Sequence, residues 1–537
     1  MKESGHKLDH ELTPDEGEVQ MFGHPKGLFY LFFAELWERF SFYGMRALLV
    51  LYLINDLFQN LADGTEVAYE IYAAYGSLVY FTPALGGMIA DRLIGHKNSI
   101  VLGAILMTLG HFVMAFENEY IFYIALGLLI MGNGFFKPNI STMVGGLYKK
   151  GDVRRDAGFT IFYLGINVGA FIAPLICGWL GTSYGWHYGF GAAGIGMLAG
   201  LAVFWYGAGN NIYGDQGHQP KEWKDKTIAG MNIRVPVWIL SFAAVPVFAY
   251  LVQNNSTKIL ADVFEDMGML QFLLFTLLLL VILYIIFISI FKLSRQEVSR
   301  LVVVCVLTLF ITVFWSFFEQ SGSALTNFAE QNVNLVGLNA SQTNSINPFW
   351  IMILAIPFSL MWKALDKIGL NPNTPVKFAL GIAQLGVGFL VFSLAAGSAD
   401  ANGMVPMMFL IIGYLLLTTG ELFVSPIGLS KVTELSPAWL TAFMMGVWFL
   451  SSSFAHFIAG IISKMTISDN GADGWIQTTA KGITGMNDSA LEGASEGMIN
   501  LANYTNVFAQ IGILSLIIAA MALAVSPLLK KMMYGVK

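Results

Sequence analysis

Glu35, Glu38, Arg39 and Arg46 all fall inside one apolar stretch, residues 27–54, GLFYLFFAELWERFSFYGMRALLVLYLI. At about 100° per residue, these four and the rings of Phe42 and Tyr43 share an arc of roughly 140°. Leu, Phe, Ala and Val take most of the rest, so one face is ionic and the other suits lipid. A charged side chain at the bilayer centre costs about 3 kcal/mol even on a lenient insertion scale, so four persist only by facing a watery cavity or one another. The helix is expected to line a pathway across a membrane.

Other apolar segments repeat the anomaly: Lys137 in GNGFFKPNIS, Asn167 in FYLGINVGAF, Glu319 with Gln320 in VFWSFFEQSG, and Glu421 in LTTGELFVSP. Singly, each fits a bland role: Lys137 could snorkel, Asn167 could be a packing amide, and Glu319 could sit near a helix end. Together the basic groups (Arg39, Arg46, Lys137) lie in the N-terminal half and the acids Glu319 and Glu421 in the C-terminal half, which suggests attraction across a central cavity. The chemistry is ionic rather than covalent, because no nucleophile with its base and no metal-ligand cluster stands out. Cys177 and Cys305 fall in apolar helices as packing groups, and His111 and His456 read as ordinary polar packing.

The elements that position these residues follow from composition. The chain is 56% hydrophobic, 14% aromatic and only 12% charged, with mean hydropathy +0.64, whereas soluble domains carry about 25% charge. That marks an all-α polytopic membrane protein. A span needs about 20 apolar residues, and fourteen stretches are expected: 28–54, 69–90, 98–116, 120–147, 157–181, 187–208, 235–253, 268–292, 301–321, 347–366, 376–396, 404–430, 438–463 and 505–530. With the N-terminus inside, Arg92, Lys97, Lys149, Lys150, Arg154, Arg155, Lys224, Arg234, Arg295, Lys367, Lys530 and Lys531 fall on the cytoplasmic side, while Lys258 and Lys481 are almost alone outside. The asymmetry places both termini in the cytoplasm.

The spans group as six, two and six. The expected units are a polar tail 1–26 with no signal-peptide core, a six-helix bundle 27–208, a linker with two helices 209–300, a second bundle 301–532 containing outer loop 464–504, and a cytoplasmic end 533–537. Paired six-helix halves are the plan of major facilitator transporters. GGMIADRLIGHKN, residues 86–98, resembles their loop signature G-x-x-x-D-R-x-G, which implies gating and stabilising roles for Asp91 and Arg92.

ELWERFSFYGMR matches, with one departure at Phe42, the first-helix motif E-x-x-E-R-F-x-Y-Y-G, and FYLGINVGAF matches a fifth-helix signature with Tyr163 and Asn167. VYFTPALGG, GNGFFKPN, FWSFFEQ, INPFW, GELFVSP and GVWFLSSS follow in order. On these motifs the chain resembles the proton-dependent oligopeptide transporter (POT/PTR) family over roughly residues 24–208 and 300–464, plus the last helix. The resemblance implies that Arg39, Tyr43 and Lys137 hold a peptide carboxylate, while Glu421, helped by Asn167 and Asn347, holds its α-amino group. It assigns Tyr80, Trp315, Ser425 and Trp448 to the pocket lining. Glu35 and Glu38 belong to a proton-coupling motif, Glu319 bridges to Arg46 at the outer gate, and Lys137 bridges to Glu421 at the inner side in the empty, inward-closed state. Ala73 stands where animal members have a histidine, so proton transfer is expected to rest on carboxylates.

The implied activity is import of di- and tripeptides with protons by alternating access, with protons as the coupling ion and no other cofactor. The alternative is a transporter of the same fold for nitrate, a drug or a peptide-like metabolite. A zwitterionic backbone needs a cationic and an anionic pole, set apart and partly desolvated, and retention of both favours peptides.

Overall fold

The computed structural model describes residues 20–116, 118–149, 152–224, 226–228, 230–254, 268–467 and 474–536. Most of the expected N-terminal tail, Lys150, Lys258 and positions 468–473 of the outer loop lie outside the described residues.

Among the described residues fourteen long helices carry the fold: α1 (Lys26–Tyr52), α2 (Gly64–Ile89), α3 (His96–Met114), α4 (Glu119–Gly146), α5 (Arg155–Tyr184), α6 (Trp186–Gly209), α7 (Arg234–Gln253), α8 (Met269–Phe291), α9 (Arg295–Phe318), α10 (Ile346–Lys367), α11 (Thr374–Leu394), α12 (Met408–Leu435), α13 (Thr441–Lys464) and α14 (Glu496–Met532). Among the described residues thirteen helical segments are long and apolar enough to cross a membrane. The remaining helix, α2, is equally long but bears Tyr69, Tyr72, Tyr75, Tyr80 and Thr82. It buries most of that ladder against its neighbours rather than in lipid.

Local chemistry sets the starts. Asn118 caps α4 by accepting from the Ile121 amide, and Asn373 does the same for α11 through Val376. Ser294 and Glu297 form a reciprocal capping box at α9. Between α5 and α6 a single residue, Gly185, turns the chain at φ +116°, a conformation that L side chains rarely adopt.

In the first half α1 packs on α5 and α6, α3 on α4 and α6, and α2 on α4; one buried apolar cluster runs through them. In the second, α9 packs on α13 and α12, and α11 on α12 and α14, around a cluster of their own. The halves meet chiefly where α2 lies against α13 and α5 against α10. The middle pair touches only lightly, with α7 leaning on α4 and α2 and the start of α8 adding Leu270 and Leu274 to the first cluster. Helix α8 is mostly exposed, touching the second half through buried Ile288 and through Tyr284, whose ring is 4.8 Å from that of Phe443.

The outer loop is more ordered than its Gly, Ser, Asn and Asp content suggests. It contains a helix at Trp475–Thr484, and α14 begins at Glu496, nine residues before the expected span, capped by Ser495. The Thr484 hydroxyl donates to Asn506 Oδ1 at 2.6 Å, fastening the loop to α14.

Small residues set the α1–α5 spacing. A Cβ on Gly169 would lie 2.4 Å from the Leu36 carbonyl oxygen and 3.1 Å from the Arg39 Cβ. Gly169→Val is therefore expected to push α5 off α1 at a cost of about 1–3 kcal/mol, read as a lower melting temperature in detergent. An unchanged melting temperature would contradict this packing.

Candidate functional site

A cavity of about 160 Å³ lies between the halves. Helical spacing delivers its wall. Tyr43 and Arg46 come from one face of α1, Tyr80 from α2, and Tyr163, Ile166, Asn167 and Ala170 from one stripe of α5. The second half supplies Trp315, Phe318 and Glu319 at the end of α9, Asn344, Asn347 and Ile351 at the start of α10, and Tyr414 and Glu421 two turns apart on α12.

Charges on the two sides are held differently. Arg39 donates to both carboxylate oxygens of Glu38, and its Nε is 3.3 Å from Glu35 Oε1. All three are buried, and the second oxygen of Glu35 has no partner. The guanidinium also sits 5.2 Å from the Phe42 ring. This cluster stands one layer behind the wall, so Arg39, expected at the substrate, is screened by its own acids and does not line the cavity. Phe42 is buried with it, so a hydroxyl there would act through Arg39 rather than by direct contact.

On the opposite wall Glu421 accepts one hydrogen bond, from Asn347 Nδ2 at 3.1 Å. Asn347 is itself within 3.0 Å of the Thr418 hydroxyl. Among the described residues no cation pairs with Glu421. The Lys137–Glu421 bridge, expected in the empty state closed at the inner side, is not formed in this structure: the ammonium of Lys137 lies 4.2 Å from the Tyr80 ring centroid. A long side chain on α4 reaches the aromatic face of α2 before it reaches α12. Asn167 does not assist Glu421 through its amide nitrogen, which donates to the Tyr163 carbonyl of its own helix at 2.9 Å.

The Arg46–Glu319 pair forms as expected. Arg46 Nε also donates to the Tyr72 hydroxyl at 2.7 Å, and His456 Nε2 lies 3.3 Å from the same Glu319 oxygen. Neither Tyr72 nor the partner of His456 is evident from the sequence, in which His456 reads as ordinary polar packing. Their only signal was a polar residue in an apolar helix, since the partner lies on another helix far along the chain.

Other bonds seal this end of the molecule. Ser77 donates to the Ser453 carbonyl at 2.9 Å, Asn327 to the Tyr69 hydroxyl, Ser345 to the Phe171 carbonyl, and Asn339 to Thr182. Lys464 pairs with Glu70 at 2.7 Å and with Glu66. Among the described residues, hydrogen bonds and ion pairs joining the halves run from the level of Ser77 toward this end; none joins them at the other end, where α4 and α12 finish.

Two expected lining residues stand elsewhere. Trp448 is 8% exposed and packs on Phe378, with 6.4 Å between ring centroids, against Gly428. The Ser425 hydroxyl is buried without a partner, off the cavity wall. In the loop signature Asp91 faces His96 at 3.4 Å, tying the end of α2 to α3, while Arg92 is exposed.

Comparison with known proteins bears on this arrangement. The model of the POT family matches residues 97–476. An uncharacterized transporter, YclF, of Bacillus subtilis is 35% identical over 98% of this chain and 97% of its own length. A di-/tripeptide transporter of Lactococcus lactis subsp. lactis is 35% identical over 83% and 91%. Among solved structures, the peptide transporter POT in complex with sulfate superposes with a TM-score of 0.77 at 33% identity, covering 96% of this chain and 98% of that one. A POT family transporter in complex with 5-aminolevulinic acid gives 0.75 at 29% over 95% and 98%. With the fold of these transporters and the family's sequence matched over most of its length, this chain belongs to the POT family of transporters.

Proposed function

We propose that the chain imports di- and tripeptides together with protons by alternating access, with both termini in the cytoplasm. The observation that carries the reading is Glu421: a carboxylate on the cavity wall, held by one amide and paired with no cation among the described residues. Such a group is ready to take a peptide ammonium. Tyr43, and Lys137 and Arg39 behind the wall, supply the opposite pole for the carboxylate. Support also comes from the relatives named as di-/tripeptide transporters.

The cationic pole suggests how a proton enters the cycle. Arg39 is fully engaged by Glu38 and Glu35. Protonating either acid removes an anionic partner and frees the guanidinium for a peptide carboxylate. Entry of one proton down a potential of about 150 mV releases roughly 3.5 kcal/mol, enough for about a 300-fold gradient of neutral peptide. With the Lys- and Arg-rich ends facing the cytoplasm, the sealed end is the outer one and the cavity opens inward. The sealing pairs Arg46–Glu319 and Lys464–Glu70 must then part once per cycle.

A second reading, a peptide-like metabolite carrying an amine and a carboxylate, draws on the relative with 5-aminolevulinic acid. Counterflow in liposomes separates the two. Labelled dialanine is expected to exchange saturably against unlabelled di- and tripeptides. Exchange confined to a non-peptide amino acid would overturn the peptide reading.

A further inference from the structure

His456 makes two contacts that together fix where hydrogen must be. Its Nδ1 lies 2.9 Å from the Ser452 carbonyl oxygen, which only accepts, so Nδ1 carries a hydrogen. Its Nε2 faces Glu319 Oε2 at 3.3 Å. In a neutral ring with its hydrogen on Nδ1, Nε2 offers a lone pair, and an ionised carboxylate offers another. Both groups are buried, His456 4% and Glu319 3% exposed, so bulk water does not soften that opposition. A single proton between the two atoms turns it into a charge-assisted hydrogen bond.

The seat is shaped for the ring. A Cβ at Gly76 would lie 2.1 Å from His456 Cδ2, so α2 admits the imidazole because residue 76 is glycine. The Tyr80 ring of α2 lies against it at a tilt of 31°, 4.8 Å between centroids. The charged and titratable groups around it come from each packed element. α1 gives Arg46, paired to Glu319; α2 gives Tyr72, bonded to Arg46, and Tyr80; α4 gives Lys137 over Tyr80. From α12, Tyr414 and Glu421 share the cavity wall with Glu319.

We propose that His456 and Glu319 together hold one proton while the outer end is closed. The proton enters from the outer solution onto Nε2 when the halves are apart. Closure brings Gly76 and Tyr80 against the ring and traps it. It leaves through Glu319, which lines the cavity, to water there, and Nε2 and the carboxylate then repel. Loss of the proton as pH rises therefore disfavours the closed outer end.

The proposal rests on the symport reading, and its test keeps the two apart. In proteoliposomes, His456→Gln is expected to lower pH-gradient-driven dialanine accumulation about tenfold relative to its own dialanine counterflow, the loss of one charge-assisted contact. Its uptake should also lose most of its dependence on outer pH. An unchanged ratio and pH profile would overturn the proposal; absence of dialanine counterflow in the wild type would overturn the peptide reading instead. A second measurement needs neither transport nor that variant. Among the eight histidines, one ¹⁵N-labelled Nε2 signal in wild-type protein should titrate and lose that titration in Glu319→Gln, whose amide N–H faces Nε2 without an added proton. Histidine titrations identical in the two proteins would overturn the proposal.

Discussion

Glu421→Gln is expected to lower the affinity for dipeptides by roughly 10- to 150-fold while leaving the protein folded. The substitution keeps the size of the side chain and its contact with Asn347, which lies 3.1 Å from Oε2. It removes the charge that a peptide ammonium would meet, and a charge-assisted hydrogen bond is worth about 1.5–3 kcal/mol. No cation is stranded by the change, because none among the described residues pairs with Glu421. The variant should also lose most of its preference for a free amine, measured by competition of dialanine against its N-acetylated form. Full retention of that preference would remove the amine pole from Glu421.

Lys137→Ala is expected to abolish gradient-driven uptake. In this structure the ammonium has no ion-pair partner among the described residues, only the Tyr80 ring at 4.2 Å. Truncation removes a part-buried cation–π contact worth about 2 kcal/mol, less than the cost of breaking a buried ion pair. A transport defect therefore reports on function rather than folding. Arg39→Ala offers no such separation: it leaves Glu38 and Glu35 buried without their cation, a change that costs about 3–5 kcal/mol in comparable buried pairs. The pair of variants can be checked by melting temperature and uptake together. Wild-type uptake by Lys137→Ala would remove Lys137 from the transport cycle.

Much of this architecture was legible in the chain because the bilayer imposes it. The ionic face of α1 announced itself by the cost of charge in hydrocarbon, and Arg46 does meet Glu319 across the halves. Each of the fourteen long helices among the described residues coincides with an expected span, although the tyrosines of α2 leave it less apolar than the other thirteen. Ends were less legible where caps rather than hydropathy set them: α14 starts at Glu496 because Ser495 caps it, although residues 496–504 look like loop. Side-chain partnerships across the fold were least legible. Arg39 is turned onto its neighbours Glu38 and Glu35, and Lys137 settles over Tyr80 rather than reaching Glu421. Trp448 fills the space over Gly428. Each depends on which long side chain reaches which partner first, and helical periodicity carries no information about that. His456 is the plainest case, since nothing in SSSFAHFIAG points to Glu319.

The most direct test is accumulation. Purified protein in sealed liposomes, given an inward proton gradient and external dialanine, should concentrate the peptide above its external level, saturably, and lose the excess when a protonophore collapses the gradient. Equilibration without accumulation, or accumulation that survives the protonophore, would contradict proton-coupled peptide import.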